Sequence, residues 1–376
     1  MEYWNDGMLE GKRIKEKGIN PGDVSMRICS HCVLPDTFPG IRFDDEGICN
    51  FCHQAKGRIT KLAEEKARYH QKFLYILNEL KEPNQPNELN KLNHRSYDVL
   101  LAYSGGKDSS YTLELLRRDF NLRVLAITFN HGFVSEQALK NIRSITSALD
   151  VDHLMVTPNQ RMLCQAFRQS INSDLYPLKA LERASSICNT CMNLTKGTLL
   201  KYAILFSIPF IAYGWSPGQA PIQSSVMKWN LPLIRQTQAV IVNTFRNILD
   251  YDLSPFFLGR EEFERLETVE KSNRIFLYNI HPLAFLDYNE EMILEKIKEL
   301  GWEDPKDTDS NSTNCLLNGF ANQVHQEKYG FHPYAFEIAG LVREGYMMRE
   351  EGLKKLSTPS DARIIDEVKA RLGLSS

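Results

Sequence analysis

Residues 98–109 read DVLLAYSGGKDS, an apolar run that breaks into two glycines and a lysine–aspartate step. The run 98–103 has the texture of a buried strand. Apolar positions at Tyr111, Leu113, Leu115 and Leu116 then predict a helix. A glycine pair at this junction lets the backbone approach an anion closely and turn its N–H groups inward. The helix that follows adds its positive dipole end. Lys107 supplies a point charge, Ser104 and Ser109 supply hydroxyls, and Asp108 stands where it could hold a metal ion or favour the dipole. The spacing is not G-x-x-x-x-G-K-[ST], so this is a polyphosphate loop of another kind than the Walker loop.

The chain on either side fits one architecture. Downstream, 123–129, 153–157 and 209–213 read as strands, and 135–149 and 195–206 as helices. Strands alternating with helices predict a doubly wound, mostly parallel α/β sheet of about five strands, covered on both faces. The last part reads as helices over 290–300, 333–343 and 358–372, with Thr358-Pro359 as a helix start. Upstream, Leu62, Phe73, Ile76, Leu77 and Leu80 predict one or two amphipathic helices, followed by a polar loop over 83–93. The expected division is an N-terminal tail 1–25, a cysteine-rich knuckle 26–56, a helical linker 57–95, an α/β domain 96–289 and a helical subdomain 290–376.

Composition excludes several classes. Of 376 residues 43% are hydrophobic and 24% charged, which is ordinary globular usage and neither disordered nor fibrous. Lysine and arginine (45) nearly balance aspartate and glutamate (47), so no global field calls for nucleic acid or an anionic membrane, and bulk binding of tRNA in particular is not expected. No stretch approaches the ~20 apolar residues of a membrane span. Glu2, Asp6, Glu10 and Glu16 make the N-terminus unlike a signal peptide. Eight cysteines without such a signal point to a reducing cytoplasm.

Six of those cysteines lie in C-x-x-C pairs, which favours metal or redox chemistry over disulfides. Cys29-x2-Cys32-x16-Cys49-x2-Cys52 has the two-knuckle spacing of a tetrahedral Zn²⁺ site, with His53 as an alternative ligand to Cys52. A segment this short has little core of its own, so bound metal would supply folding energy. Cys188 and Cys191 form the third pair at the start of a helix, where the dipole lowers a thiol's pKa. Cys315 stands alone far downstream, and Cys164 reads as a packed core thiol. The loop 216–221, SPGQAP, is rigid and placed at a strand end, where ligand contacts are favoured.

SGGKDS after an apolar strand resembles the PP-loop (N-type) ATP pyrophosphatases of the adenine nucleotide α-hydrolase-like superfamily, over roughly residues 97–282. That resemblance implies Mg²⁺-dependent cleavage of ATP between the α and β phosphates. A substrate oxygen takes the adenylyl group, and nitrogen or sulfur then displaces AMP. It places adenine beside Thr128, Phe129 and Asn130, with Gly214 at the ligand edge of a further strand. The stretch RICSHCVLPDTFPGIRFDDEGICNFC, together with Thr313-Asn314-Cys315-Leu316 and the pattern from Arg343 to Glu351, resembles the N-acetyl sugar amidotransferases, which take ammonia from a glutaminase subunit. Cys188, Cys191 and Cys315 instead resemble the tRNA-thiolation branch, where three cysteines hold a [4Fe-4S] cluster or carry a persulfide. The first expectation is therefore sulfur transfer to an adenylated small-molecule or sugar acceptor, with Lys107, Asp108 and these three cysteines as candidate catalytic residues and a sulfur carrier as partner. The alternatives are amido transfer and a non-catalytic nucleotide-binding scaffold, and a homodimer is open under each.

Overall fold

In the computed structural model the described residues are 26–81, 96–271 and 277–374. The expected tail and the polar loop 83–93 lie outside them. Of the one or two helices expected upstream there is one, α1 (Asn50–Lys81), which begins earlier than expected, inside the cysteine knuckle, and keeps Cys52 in its first turn. Then follow β1 (Val99–Ala102), α2 (Lys107–Glu114), β2 (Val124–Phe129), α3 (Glu136–Ala148), β3 (Asp152–Val156), α4 (Gln160–Asn172), α5 (Ser186–Leu205) and β4 (Phe210–Tyr213). Beyond them lie β5 (Val226–Lys228), α6 (Leu231–Arg246), α7 (Arg260–Lys271), β6 (Tyr278–Ile280) and α8 (Glu290–Glu299). The chain closes with α9 (Leu317–Tyr329), α10 (Ala335–Arg343), α11 (Arg349–Ser357) and α12 (Ala362–Leu372). The last of these starts after Pro359, because the Asp361 side chain caps it by accepting from the Arg363 N–H.

The sheet has six strands in the order β3-β2-β1-β4-β6-β5. Five run parallel, as expected; the short edge strand β5 pairs antiparallel with β6, which the sequence reading did not foresee. Strand order reverses at β1, which lies between β2 and β4. Open α/β sheets bind ligands in the crevice at the carboxyl ends of the strands at such a switch point, and SGGKDS leaves β1 there.

The central strands are buried on both faces, and successive residues face opposite cores with the period of two that a pleated strand imposes. Val99, Leu101, Phe210 and Ala212 face a core completed by Phe73, Ile76 and Leu77 of α1 and by α8. Leu100, Ile211 and Tyr213 face the opposite core, completed by Leu199, Leu200 and Ala203 of α5. A further cluster joins α4 and α5 to α6, α9 and α12 through Phe167, Leu194, Phe245, Phe320 and Leu372. Cys164 packs partly buried against it, as read. The knuckle obtains its core from the other end of the chain: Val33, Leu34 and Phe38 pack on Phe331, Ala335, Ile338 and Ala339 around α10. Phe38 stacks on Phe336 with ring centroids 5.6 Å apart.

Candidate functional site

The glycine loop is fixed from three sides. Gly105 has φ +76, and a Cβ there would fall 2.5 Å from the Ala138 carbonyl oxygen, so only glycine fits. The buried Trp302 indole donates to the Gly105 carbonyl at 3.0 Å. The Lys107 N–H donates to Thr313 Oγ1 at 3.1 Å, which ties the loop to the segment carrying Cys315. The Ser104 and Ser109 hydroxyls lie 3.0 Å apart across the turn. Gly214, at the end of β4, approaches so closely that a Cβ would stand 2.4 Å from Ser109 Cα. The expected strand–loop–helix unit is thus present at the switch point, its Ser104, Gly106 and Lys107 amides held by the hydroxyls of Ser109, Ser104 and Thr313.

Lys107 Nζ bonds Asp108 at 2.9 Å and the Tyr288 hydroxyl at 2.9 Å, with Glu290 3.8 Å away. Burial disfavours the ammonium charge, but Asp108, Tyr288 and Glu290 outweigh it and hold the lysine pKa above its usual value. Lys107 is therefore charged throughout the neutral range.

In front of the loop lies a cleft of about 300 Å³, the lower end of small-molecule sites. Ser104, Gly106, Lys107, Asp108 and Ser109 line it, as do Thr128, Phe129 and Gly214 among the expected adenine-side residues. Gly105 forms the turn behind them. Thr128 is engaged, donating to the Tyr103 carbonyl at 2.6 Å with His153 Nε2 at 2.8 Å. Asn130 is not part of the lining: its side chain turns to Thr157 Oγ1 and the Gly132 N–H.

Gln219 of the 216–221 loop lines the cleft, as that loop's place at a strand end led one to expect, and so does Trp215 beside Gly214; Lys196 and Tyr334 line it without a sequence signal of their own. Lys196 Nζ lies 5.2 Å from the Trp215 ring centre, and His281 stacks on Trp215 with centroids 4.6 Å apart. Burial brings the Lys196 pKa down to about 8. Lys196 lies on α5, the helix that also carries the C-x-x-C pair.

The separated cysteines come into one neighbourhood. Cys191 lines the cleft. Cys315 bridges to Val134 and packs with Cys188 and Cys191 against the same cluster of apolar side chains. Burial, then the charges of Cys191 and Cys188, push the Cys315 thiol well above its usual pKa. Burial, then Cys188, pushes Cys191 up to about 12. Asn318 Nδ2 reaches Cys188 Sγ at 3.9 Å and donates to the Tyr334 hydroxyl at 3.0 Å. The three thiols do not form a set within 4.8 Å of one another, the spacing that one ion needs.

The four knuckle thiols do form such a set. Sulfur separations are 3.8 Å for Cys29–Cys52, 3.8 Å for Cys32–Cys49 and 3.5 Å for Cys49–Cys52. Zinc–sulfur bonds of about 2.3 Å in a tetrahedron put the sulfurs about 3.8 Å apart. Cys29 Sγ accepts from the N–H groups of Cys32 and Cys49, and Arg343 Nη1 lies 3.7 Å from Cys32 Sγ. Arg349 donates to the Cys29 and Cys32 carbonyls. These contacts suit a metal carrying four thiolates. His53 is turned away to Asp44 at 2.6 Å, which leaves Cys52 as the fourth ligand.

No family model matches the chain. It is similar to the uncharacterized protein MJ1599 of Methanocaldococcus jannaschii, with 25% identity over 278 residues, 74% of this chain and 79% of that one. Among solved structures it is similar to the U34-tRNA thiolase NcsA of Methanococcus maripaludis with its [4Fe-4S] cluster, at 15% identity and TM-score 0.33, covering 94% of this chain and 100% of that chain. It is also similar to an NMN synthetase of Francisella tularensis, at 11% identity and TM-score 0.34, covering 76% of this chain and 90% of the other. These are partial likenesses, and none carries a reaction over to this chain.

Proposed function

We propose that the cleft binds ATP, cleaves it between the α and β phosphates, and passes the adenylyl group to an acceptor oxygen that sulfur then replaces. The observation that carries this reading is the meeting of two motifs. Cys191 lines the same cleft as SGGKDS, and Cys315 lies two residues from Thr313, whose hydroxyl accepts from the Lys107 amide.

The loop amides and the α2 dipole bind the polyphosphate, and Lys107 neutralises the charge gathering on departing pyrophosphate. Asp108 holds Lys107 charged and is placed to meet Mg²⁺ in company with ATP. The aromatic wall at Phe129 flanks the nucleotide. Cys188, Cys191 and Cys315 would hold an iron–sulfur cluster, which when bound supplies an open iron for exogenous sulfide. A sulfur carrier is the partner this reading requires.

The test replaces each of these three cysteines by alanine and follows AMP release and sulfur incorporation separately. Loss of incorporation with AMP release retained is expected. Retained incorporation in all three variants would end the sulfur reading. Amido transfer, with ammonia from a glutaminase, is the second reading, and one observation favours it. Burial raises the pKa of all three thiols, so each is a poor nucleophile when no metal is bound.

A further inference from the structure

Lys107 and Asp108 both line the cleft, but their charged ends meet on a residue that does not, Tyr288. The Tyr288 hydroxyl accepts from Lys107 Nζ at 2.9 Å and donates to Asp108 Oδ1 at 3.1 Å. An ammonium can only donate and a carboxylate can only accept, so the direction of both bonds is fixed and the one hydroxyl proton belongs to Asp108. Burial, then the Asp108 charge, holds the Tyr288 pKa above its usual value, and the proton stays on the hydroxyl throughout the neutral range.

Tyr288 is itself held firmly. Its ring is buried in the core between the sheet, α2 and α8 and meets Tyr346 edge to face, with centroids 6.0 Å apart. Before it in the chain, the Leu286 carbonyl accepts from Lys66 Nζ of α1 at 3.1 Å. After it, Asn289 caps α8 by accepting from the Met292 N–H at 2.9 Å.

The lysine has two anions to serve. Both Asp108 oxygens accept from Lys107 Nζ, at 2.9 and 3.0 Å. The reading above needs the same ammonium on the phosphates, and a lysine that turns to them leaves two carboxylates behind. Glu290, 3.8 Å from Nζ, keeps Lys355 at 3.3 Å. Asp108 keeps one side-chain donor among the described residues, the Tyr288 hydroxyl. The Asp108 side chain is only 21% exposed, and a largely buried carboxylate without its partner is costly. We propose that Tyr288 is a positioning residue that holds Asp108 while Lys107 passes from it to ATP, so that the carboxylate does not compete with the phosphates for the ammonium. The proposal rests on the adenylation reading in that ATP must bind at this loop.

The test follows ATP binding and turnover by the full, metal-loaded chain in Mg²⁺. Tyr288→Phe keeps the ring against Tyr346 and removes only the hydroxyl. A hydrogen bond to a charged group is worth about tenfold or more in an equilibrium. KM and the calorimetric dissociation constant for ATP should therefore rise about tenfold, with the unfolding temperature unchanged. Saturating ATP still wins the ammonium, so the defect should fall mainly on KM rather than on kcat. In an Asp108→Ala background the same change should alter ATP binding by no more than about twofold, because nothing is left for the hydroxyl to hold. A Tyr288→Phe dissociation constant within about twofold of wild type would overturn the proposal. So would a tenfold loss that persists without Asp108, or one that falls on kcat with KM unmoved. ADP and phosphate as the wild-type products would overturn adenylation instead, a result read before any variant is compared. A wild type that binds no ATP would overturn both.

Discussion

Gly214→Ala adds one methyl group, and the geometry says where it must go. The new Cβ falls 2.4 Å from Ser109 Cα, 2.6 Å from Ser109 N and 2.9 Å from the Asp108 carbonyl carbon. All three are backbone atoms in the first turn of α2, so no side-chain rotation relieves the overlap. Carbon contacts settle at about 3.5 Å, so the end of β4 and the start of α2 must part by about 1 Å. Overpacking of this kind costs about 1–3 kcal/mol of stability. The larger effect falls on the loop, because a displacement of about 1 Å at a site that positions reacting groups costs on the order of 100-fold in rate. Gly57→Ala is the matched control: nothing lies within 4 Å of its Cβ position, in the interior of α1. It should stabilise the chain by about 0.5–1 kcal/mol. Urea denaturation and ATP calorimetry on both variants measure the two effects. A Gly214→Ala protein with wild-type stability and wild-type ATP affinity would refute the close approach of β4 to the nucleotide loop.

Trp302→Phe removes the donor to the Gly105 carbonyl; the orphaned acceptor should cost about 1–3 kcal/mol and weaken ATP binding, read by the same two measurements. The knuckle should retain about one zinc per chain through purification. Cys49→Ser should lose the metal and lower the unfolding temperature, and a metal-free protein of full stability would contradict the assignment. Acid should destabilise the fold early. Burial depresses the pKa of His131 to about 4, of His281 to about 3 and of His325 to about 4. Between those values and the ordinary one near 6.5 the unfolded chain binds protons that the folded chain does not. Their contribution is therefore fully present above about pH 6.5, erodes as pH falls below it, and is lost once pH passes below the folded values. Denaturation at pH 7.5 and 5.5 should show a loss of about 1 kcal/mol for each of these histidines, and no difference would refute their burial in the neutral form.

The parts legible in the sequence were those carried by short-range pattern. The runs 98–103 and 123–129 are apolar on both faces, as a covered parallel sheet requires, and two adjacent glycines between strand and helix have few uses other than binding an anion. β5 and β6 escaped notice because three residues, with Lys228 in one and Asn279 in the other, are too few to show a period. The seat of the knuckle on α10 was invisible because Phe38 meets Phe331 and Phe336 across most of the chain. The three distant cysteines could be grouped by resemblance, but the segment of Cys315 reaches the loop through long-range contacts, the bridge to Val134 and the Thr313–Lys107 bond between residues 206 apart, which no local pattern shows.

The central claim is that the SGGKDS cleft cleaves ATP between the α and β phosphates. Incubating the metal-loaded chain with ATP, Mg²⁺ and candidate sugar or small-molecule acceptors, and separating the nucleotides by chromatography, tests it directly. AMP and pyrophosphate in equal amounts are expected. Lys107→Ala, which removes the charge that meets departing pyrophosphate, should reduce both about 10²–10³-fold while the fold remains intact. ADP and phosphate as the products, or AMP formation untouched by Lys107→Ala, would contradict the account.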